Sequence, residues 1–150
     1  MKISVVGTGY VGLPAGTGLA SRGHKVTCID IDEEKVENIN NGECPIYEKE
    51  LPELLEKMVS EGSLEATTET GEAVRNSEVT FLAVGTPMRE DGSINLEYIK
   101  KAAEDAAEGL KEKEGYHVFV VKSTVVPTTT ENEIIPVIER VSGKKAGEDF

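Results

Sequence analysis

The stretch "KISVVGTGYVGLP" (2–14) limits what this chain can fold into more than any other. Residues 2–6 are a short apolar run of the kind a buried parallel strand shows, and it ends at Gly7, followed by Gly9 and Gly12. Glycines set this close together cost conformational entropy, so something other than stability asks for them. From Tyr10 to about Arg22 the pattern is helical, which places the glycines where a strand becomes a helix.

The rest of the chain repeats the alternation. Apolar runs at 25–29, 64–67, 79–84 and 117–122 read as further strands, with 64–67 the weakest of them. Between them lie a helix over 33–40, opened by Asp32 as its cap, and a helix over 50–60 with Leu51, Leu54, Leu55 and Met58 on one face. A helix over 96–110 carries Leu96, Ile99, Ala103, Ala106 and Leu110, with Asn95 placed to cap it. A last helix over 130–141 contains Pro136, whose ring should bend it. Strands separated by helices pair in parallel through right-handed crossovers. The expected fold is α/β: a Rossmann-type doubly wound parallel sheet, strand order 3-2-1-4-5, truncated before the sixth strand. The polar tail 142–150 stops where that strand would begin, so the chain reads as one dinucleotide-binding domain of a longer protein.

In this context each glycine has a physical role. Gly7 permits the tight turn out of the first strand. Gly9 lets a pyrophosphate approach bare backbone, and Gly12 lets the helix pack closely. The free amides and dipole of the helix N-terminus supply a positive field. A glycine-rich turn with no ligand is the plain alternative, and the strand–turn–helix setting argues against it. Methyltransferases that bind S-adenosylmethionine pair a similar turn with an acid just before it, but Ser4, Val5 and Val6 offer no carboxylate. Asp30, at the end of the second strand, lies about 20 residues after the first glycine, where an acid accepts hydrogen bonds from the adenosine ribose and repels a 2′-phosphate. The cofactor expected is therefore NAD. Lys35, in the first turn of the next helix, is either a solvated lysine, which its own chemistry favours, or one that reaches back toward the adenosine end.

The nicotinamide end should lie over the fourth and fifth strands, which end in "AVGTP" (83–87) and "VKST" (121–124). Gly85 allows close approach there, while Thr86 and Thr124 offer hydroxyls to a ribose or carboxamide. As turn formers, both threonines also have a purely local explanation beside Pro87 and Pro127.

Charge narrows the partners. The formal net charge of −12 and the absence of tryptophan speak against nucleic acid. No apolar run approaches a membrane span, and "MKISVVG" is not a signal peptide. With only Cys28 and Cys44, the chain reads as a reduced cytoplasmic protein, without a disulfide framework or a metal site.

Four segments, "GTGYVGLPAG" (7–16), "CIDIDEEKVENINNGECPIYE" (28–48), "FLAVGTPMREDGSINLEYI" (81–99) and "VKSTVVPTTTENEIIPVIE" (121–139), resemble the amino-terminal domain of the UDP-glucose/GDP-mannose dehydrogenase family. The resemblance implies a protein that oxidises the C6 alcohol of a nucleotide sugar to the carboxylate while reducing two NAD, UDP-glucose being favoured over GDP-mannose. It assigns Val11 and the glycine turn, with Tyr10 inside it, to the pyrophosphate, Asp30 and Lys35 to the adenosine end, and Thr86 and Thr124 to the cofactor. Thr124 would stand near the reacting centre in a supporting role. Glu48 resembles the family's "PIYEPGL" segment, but "KEL" (49–51) replaces "PGL" here. The nucleophilic cysteine of the family lies beyond the equivalent of Phe150, and neither Cys28 nor Cys44 matches it, so this chain is expected to bind NAD without turnover. The longer protein would be a homo-oligomer. An unrelated reading is a stand-alone NAD-sensing module.

Overall fold

The computed structural model describes residues 1–150. Five strands, β1 (Lys2–Val6), β2 (Lys25–Ile29), β3 (Leu64–Thr67), β4 (Val79–Leu82) and β5 (Val118–Val121), form one sheet in the order β3-β2-β1-β4-β5. All four pairings are parallel. Central β1 is flanked on both sides, with Val5 opposite both Cys28 and Phe81. The doubly wound expectation is met, and β5 is an outer strand.

Helices cover both faces, because each strand buries side chains alternately up and down. On one face α1 (Gly12–Ser21) and α3 (Leu51–Ser60), with Ile39 of α2 (Glu33–Asn40), pack Leu13, Leu51, Leu55 and Met58 against Ile3, Val5, Val26 and Cys28. On the other, α4 (Thr70–Asn76), α5 (Glu97–Leu110) and α6 (Ile135–Ser142) pack Val74, Ile99, Ala103, Leu110 and Ile138 against Val6, Ile29 and Leu82. Small residues let α4 and α5 nearly touch. A Cβ added at Gly109 would lie 2.2 Å from the Gly71 carbonyl oxygen.

Several expected details shift. Helix α1 begins at Gly12 rather than Tyr10, since Gly9–Val11 complete the turn, and β4 stops at Leu82, before the backbone turns toward Gly85. Asp32 caps α2 as expected, its carboxylate accepting from the Glu34 and Lys35 amides at 3.1 and 3.3 Å. Asn95 acts from one position further out than a cap, accepting from the Glu97 amide at 2.9 Å, with Leu96 between. The helical backbone runs on through this segment, as a π-helical turn, Thr130–Ile134, that passes directly into α6, and Pro136 stands just after the change of hydrogen-bond register, where the amide that its ring lacks would have donated to the preceding turn.

The tail also differs from a plain polar end. Gly143, at φ 71°, closes α6 and turns the chain back toward β5. The His117 amide donates to the Asp149 carbonyl at 3.1 Å, and Phe150 sits edge-on to Phe119 at 5.8 Å. No helix is long and apolar enough to cross a membrane.

Candidate functional site

At the carboxyl ends of β1, β2 and β4, the crossovers above the sheet depart in opposite directions and leave a cleft of about 320 Å³. Its floor is Gly7, Thr8 and Gly9, its β2 end carries Asp30, Ile31 and Lys35, and its β4 end carries Ala83, Val84 and Gly85.

The glycines divide by what surrounds them. Gly7 adopts φ 98°, a conformation that side chains rarely take, and a Cβ there would lie 2.8 Å from the Ala83 carbonyl oxygen. Its amide donates to the Ile29 carbonyl at 2.8 Å, tying the turn to the end of β2. A Cβ on Gly12 would collide with the Gly7 carbonyl oxygen at 1.8 Å, so this glycine serves the close packing of helix on turn. Around Gly9 nothing lies within 4 Å of the missing Cβ. The chain itself makes no steric demand there. A glycine with open space above it, at a helix N-terminus, suits a bulky anion resting on the backbone.

Asp30 is the acid of the cleft, its side chain 12% exposed. Oδ2 accepts from the Thr8 amide at 3.0 Å and from the Thr8 hydroxyl at 2.5 Å, and Oδ1 accepts from the Asp32 amide at 3.1 Å. Burial pushes the Asp30 carboxyl up, but the Thr8 hydroxyl and amide, the Asp32 amide and the Lys35 ammonium outweigh it and hold the group below its ordinary value. The cleft therefore holds a carboxylate at neutral pH, and three donors of the chain leave it further acceptor capacity. The Lys35 ammonium stands 4.0 Å from both Asp30 Oδ2 and Asp32 Oδ2, so the lysine turns back to the acid instead of extending into solvent.

The other expected residues fall into two groups. Gly85 lines the cleft, and a Cβ there would meet nothing within 4 Å. Tyr10 and Val11 stand outside it on the surface, 66% and 47% exposed. Thr86 and Thr124 also lie beyond its lining, but the structure joins them: the Thr86 hydroxyl donates to the Thr124 carbonyl at 2.7 Å. Beside them the Ser123 hydroxyl donates to the Val84 carbonyl at 2.6 Å, so the ends of β4 and β5 are laced together.

Sequence reasoning missed one wall. Tyr98, Lys101, Ala102 and Asp105 of α5 face the glycine turn across the cleft, with Thr70 at the start of α4. Lys101 is held by Asp105 at 2.6 Å. The helical stripe of α5 identified its buried side, but not which exposed residues would front the cleft. Thr8 was missed as well, being a variable position of the glycine motif. Its only signal is a hydroxyl that, 1% exposed, needs a partner nearby. Neither cysteine is poised to react: burial pushes the Cys28 thiol up to about 12, and the Cys44 thiol is turned onto the Ile46 carbonyl at 3.2 Å.

Comparison with known proteins gives a consistent picture. The family described as "UDP-glucose/GDP-mannose dehydrogenase family, NAD binding domain" matches residues 1–150. GDP-mannose 6-dehydrogenase of Pseudomonas syringae pv. syringae is 44% identical over 150 residues, 100% of this chain and 34% of that protein. UDP-glucose 6-dehydrogenase AglM of Haloferax volcanii is 44% identical over 148 residues, 99% of this chain and 34% of that protein. The crystal structure of a ternary complex of GDP-mannose dehydrogenase from Pseudomonas aeruginosa superposes with a TM-score of 0.98 at 43% identity, covering 100% of this chain and 34% of that one. The chain thus spans about a third of the length of these relatives.

Proposed function

Because this chain belongs to the UDP-glucose/GDP-mannose dehydrogenase family, as its NAD-binding domain, we propose that it serves a protein that oxidises the 6-hydroxyl of a nucleotide sugar to a carboxylate in two NAD-dependent steps. NAD supplies the hydride acceptor. The residues proposed to hold it are Gly7, Gly9, Tyr10, Val11 and Gly12 at the pyrophosphate, Asp30 and Lys35 at the adenosine ribose, and Gly85, Thr86 and Thr124 toward the nicotinamide.

One observation carries this reading: an ionised, partly buried carboxylate stands at one end of a glycine-floored cleft, with open space over Gly9. A carboxylate there accepts from ribose hydroxyls and repels a 2′-phosphate, which selects NAD over NADP. The donor set fits the group. Backbone amides suit a diphosphate, and in a chain of net charge −12 they are a source of positive potential that the overall charge does not cancel locally.

For the sugar, UDP-glucose is the expectation carried from the sequence. A second reading, GDP-mannose, has the support of 44% identity to the Pseudomonas syringae pv. syringae enzyme over the full chain, which the Haloferax volcanii UDP-glucose enzyme equals over 148 residues. A protein containing this chain, given NAD and UDP-glucose, GDP-mannose or another UDP-sugar separately, should form NADH with one of them, and failure with all would overturn the reading.

The chain alone is proposed to bind NAD without turnover, since the Cys28 thiol is buried and pushed up to about 12 and the Cys44 thiol is turned onto the Ile46 carbonyl. Calorimetry should give a measurable NAD affinity, and Asp30→Ala should weaken it by about tenfold or more, as expected for loss of a charged hydrogen-bond partner. An unchanged affinity would remove Asp30 from the site. Steady NADH formation by the chain alone would show that its catalytic groups were wrongly sought elsewhere.

A further inference from the structure

The geometry points to Thr8 as a positioning residue for cofactor selection: it clamps the Asp30 carboxylate in the orientation that meets the adenosine ribose. This rests on the proposal that Asp30 binds that ribose, and goes beyond it by asking what holds the acid in place.

Three observations converge on Thr8. Its amide and hydroxyl both donate to the same oxygen, Asp30 Oδ2, at 3.0 and 2.5 Å. A two-point contact from one residue fixes the plane of the carboxylate as well as its position. Thr8 is 1% exposed, so neither group can exchange Asp30 for bulk water without the turn opening. The turn itself is anchored, because the Gly7 amide is bonded to the Ile29 carbonyl, next to Asp30, and Gly7 fits only as glycine.

The consequence follows from what is left free. Oδ2 already holds two donors, while Oδ1 holds the Asp32 amide alone. A carboxylate oxygen accommodates about two donors, so Oδ1 keeps an acceptor position for an incoming hydroxyl. Without the Thr8 hydroxyl the side chain of Asp30 gains rotational freedom, and ordering it becomes a cost of binding. That freedom also lets the negative charge swing away from a 2′-phosphate, which weakens discrimination. The Thr8 hydroxyl thus contributes to affinity and to selectivity through the Asp30 carboxylate on which it is spent.

A buried threonine that merely satisfies its own hydroxyl would give the same structure, so the test needs readouts that only positioning moves. NAD and NADP affinities are measured by calorimetry for the parent chain, Thr8→Val, Thr8→Ser, Asp30→Ala and the Thr8→Val/Asp30→Ala double variant, with melting temperatures recorded alongside. Thr8→Val keeps the shape and removes the donor. It should weaken NAD about tenfold and narrow the preference for NAD over NADP, as expected for one lost hydrogen bond to a charged group. Its acid limb of NAD binding should move to higher pH. Thr8→Ser should return affinity to within about twofold of the parent. In the Asp30→Ala background Thr8→Val should change NAD affinity by less than about twofold, since the two residues act through one contact. If Asp30→Ala weakens NAD and Thr8→Val does not, the role of Thr8 is overturned while the ribose reading stands. If Asp30→Ala leaves NAD affinity unchanged, the ribose reading fails first and this inference falls with it. Equal loss from Thr8→Val in both backgrounds would mark a structural residue and overturn the proposal. Should Thr8→Val not fold, Thr8→Ala against Thr8→Ser decides the matter, and a serine variant that binds no better than the alanine one overturns it.

Discussion

The two ends of the same sheet treat polar groups in opposite ways. Toward the amino ends of the strands, Ser4 of β1 shares hydrogen bonds with Ser77 at 2.9 Å and with Thr80 of β4 at 2.6 Å, and Thr80 meets Nε2 of His117 at 2.8 Å. Lys113 closes the group from above, donating to the carbonyls of Val74, Arg75 and Ser77. Ser4, Ser77, Thr80 and His117 are all buried, so nearly every bond they make is internal. At the carboxyl ends, by contrast, Gly9 and Gly85 face open space, and Asp30 retains acceptor capacity although it is mostly buried. What separates the binding site from the structural polar cluster here is a charged acceptor with a free position beside bare glycine backbone, rather than the number of polar groups.

The largest expected effect tests that distinction within the glycine motif. Gly12→Ala forces a Cβ to 1.8 Å from the Gly7 carbonyl oxygen, a backbone atom that cannot rotate away. It should destabilise the fold by roughly 3 kcal/mol or more, as overpacking against backbone does. Gly9→Ala meets no atom and should stay within about 0.5 kcal/mol of the parent in stability. Its NAD affinity should nevertheless fall about tenfold, because the new methyl occupies the approach to the backbone. Thermal melts with and without NAD separate the two. A Gly9→Ala variant with full affinity would break the comparison, since open space would then mean nothing for binding.

The amino end makes the next prediction, through pH. Burial pushes His117 down to about 4, the Lys113 ammonium pushes the same way, and the Ser77 backbone, an acceptor for the protonated ring, only partly opposes them. Its Nδ1 finds no partner in the chain. The unfolded chain has an ordinary histidine near pH 6.5, so between there and about 4 it binds more protons than the folded form. Stability from this group is thus complete above pH 6.5 and is lost as pH falls toward 4, by about 3 kcal/mol at most. His117→Phe should flatten the melting temperature over that window and leave NAD affinity at neutral pH unchanged. A variant that keeps the full acid slope would place its cause in the carboxylates instead.

These contrasts also show what a sequence can disclose. The strands were legible because each is a short run rich in apolar residues, buried on both faces in central β1 and only partly buried in outer β3 and β5, and even 64–67 matches β3. Boundaries ran long where apolar residues continue past the ladder, as Val84 does beyond the Ala83 amide that donates to the Val6 carbonyl at 2.8 Å, since hydrophobicity does not report hydrogen bonding. Helix α4 escaped notice: only Ala73 and Val74 are buried in its seven residues, too few to set a period, and Gly71 reads as a breaker. Gly7, Gly9, Gly12 and Asp30 could be read because a motif of fixed spacing identifies them, and Gly85 because it follows the end of a legible strand. Tyr98, Lys101 and Thr8 could not, because their place at the cleft depends on how α5 lies over the sheet and on which side chain fills the turn. Lys35 fell between the two. Its own chemistry suggested a solvated lysine, the family resemblance placed it at the adenosine end, and the structure puts it 4.0 Å from Asp30.

The smallest effect is expected at the ends of β4 and β5, where the structure offers a contact but little enclosure. The Thr86 hydroxyl is already given to the Thr124 carbonyl, and Thr124 is exposed. If that bond mainly laces two strand ends together, Thr86→Val should cost about 0.5–1 kcal/mol of stability, the usual net worth of one hydrogen bond. NAD affinity should then fall only two- to threefold, through looser positioning of Gly85, and Thr86→Ser should recover it. A loss as large as that of Asp30→Ala would mean that the hydroxyl leaves the Thr124 carbonyl to meet the cofactor directly. The nicotinamide end would then share the character of the adenosine end, with a donor held in reserve, and exposure in the free chain would be a poor guide to which threonine acts.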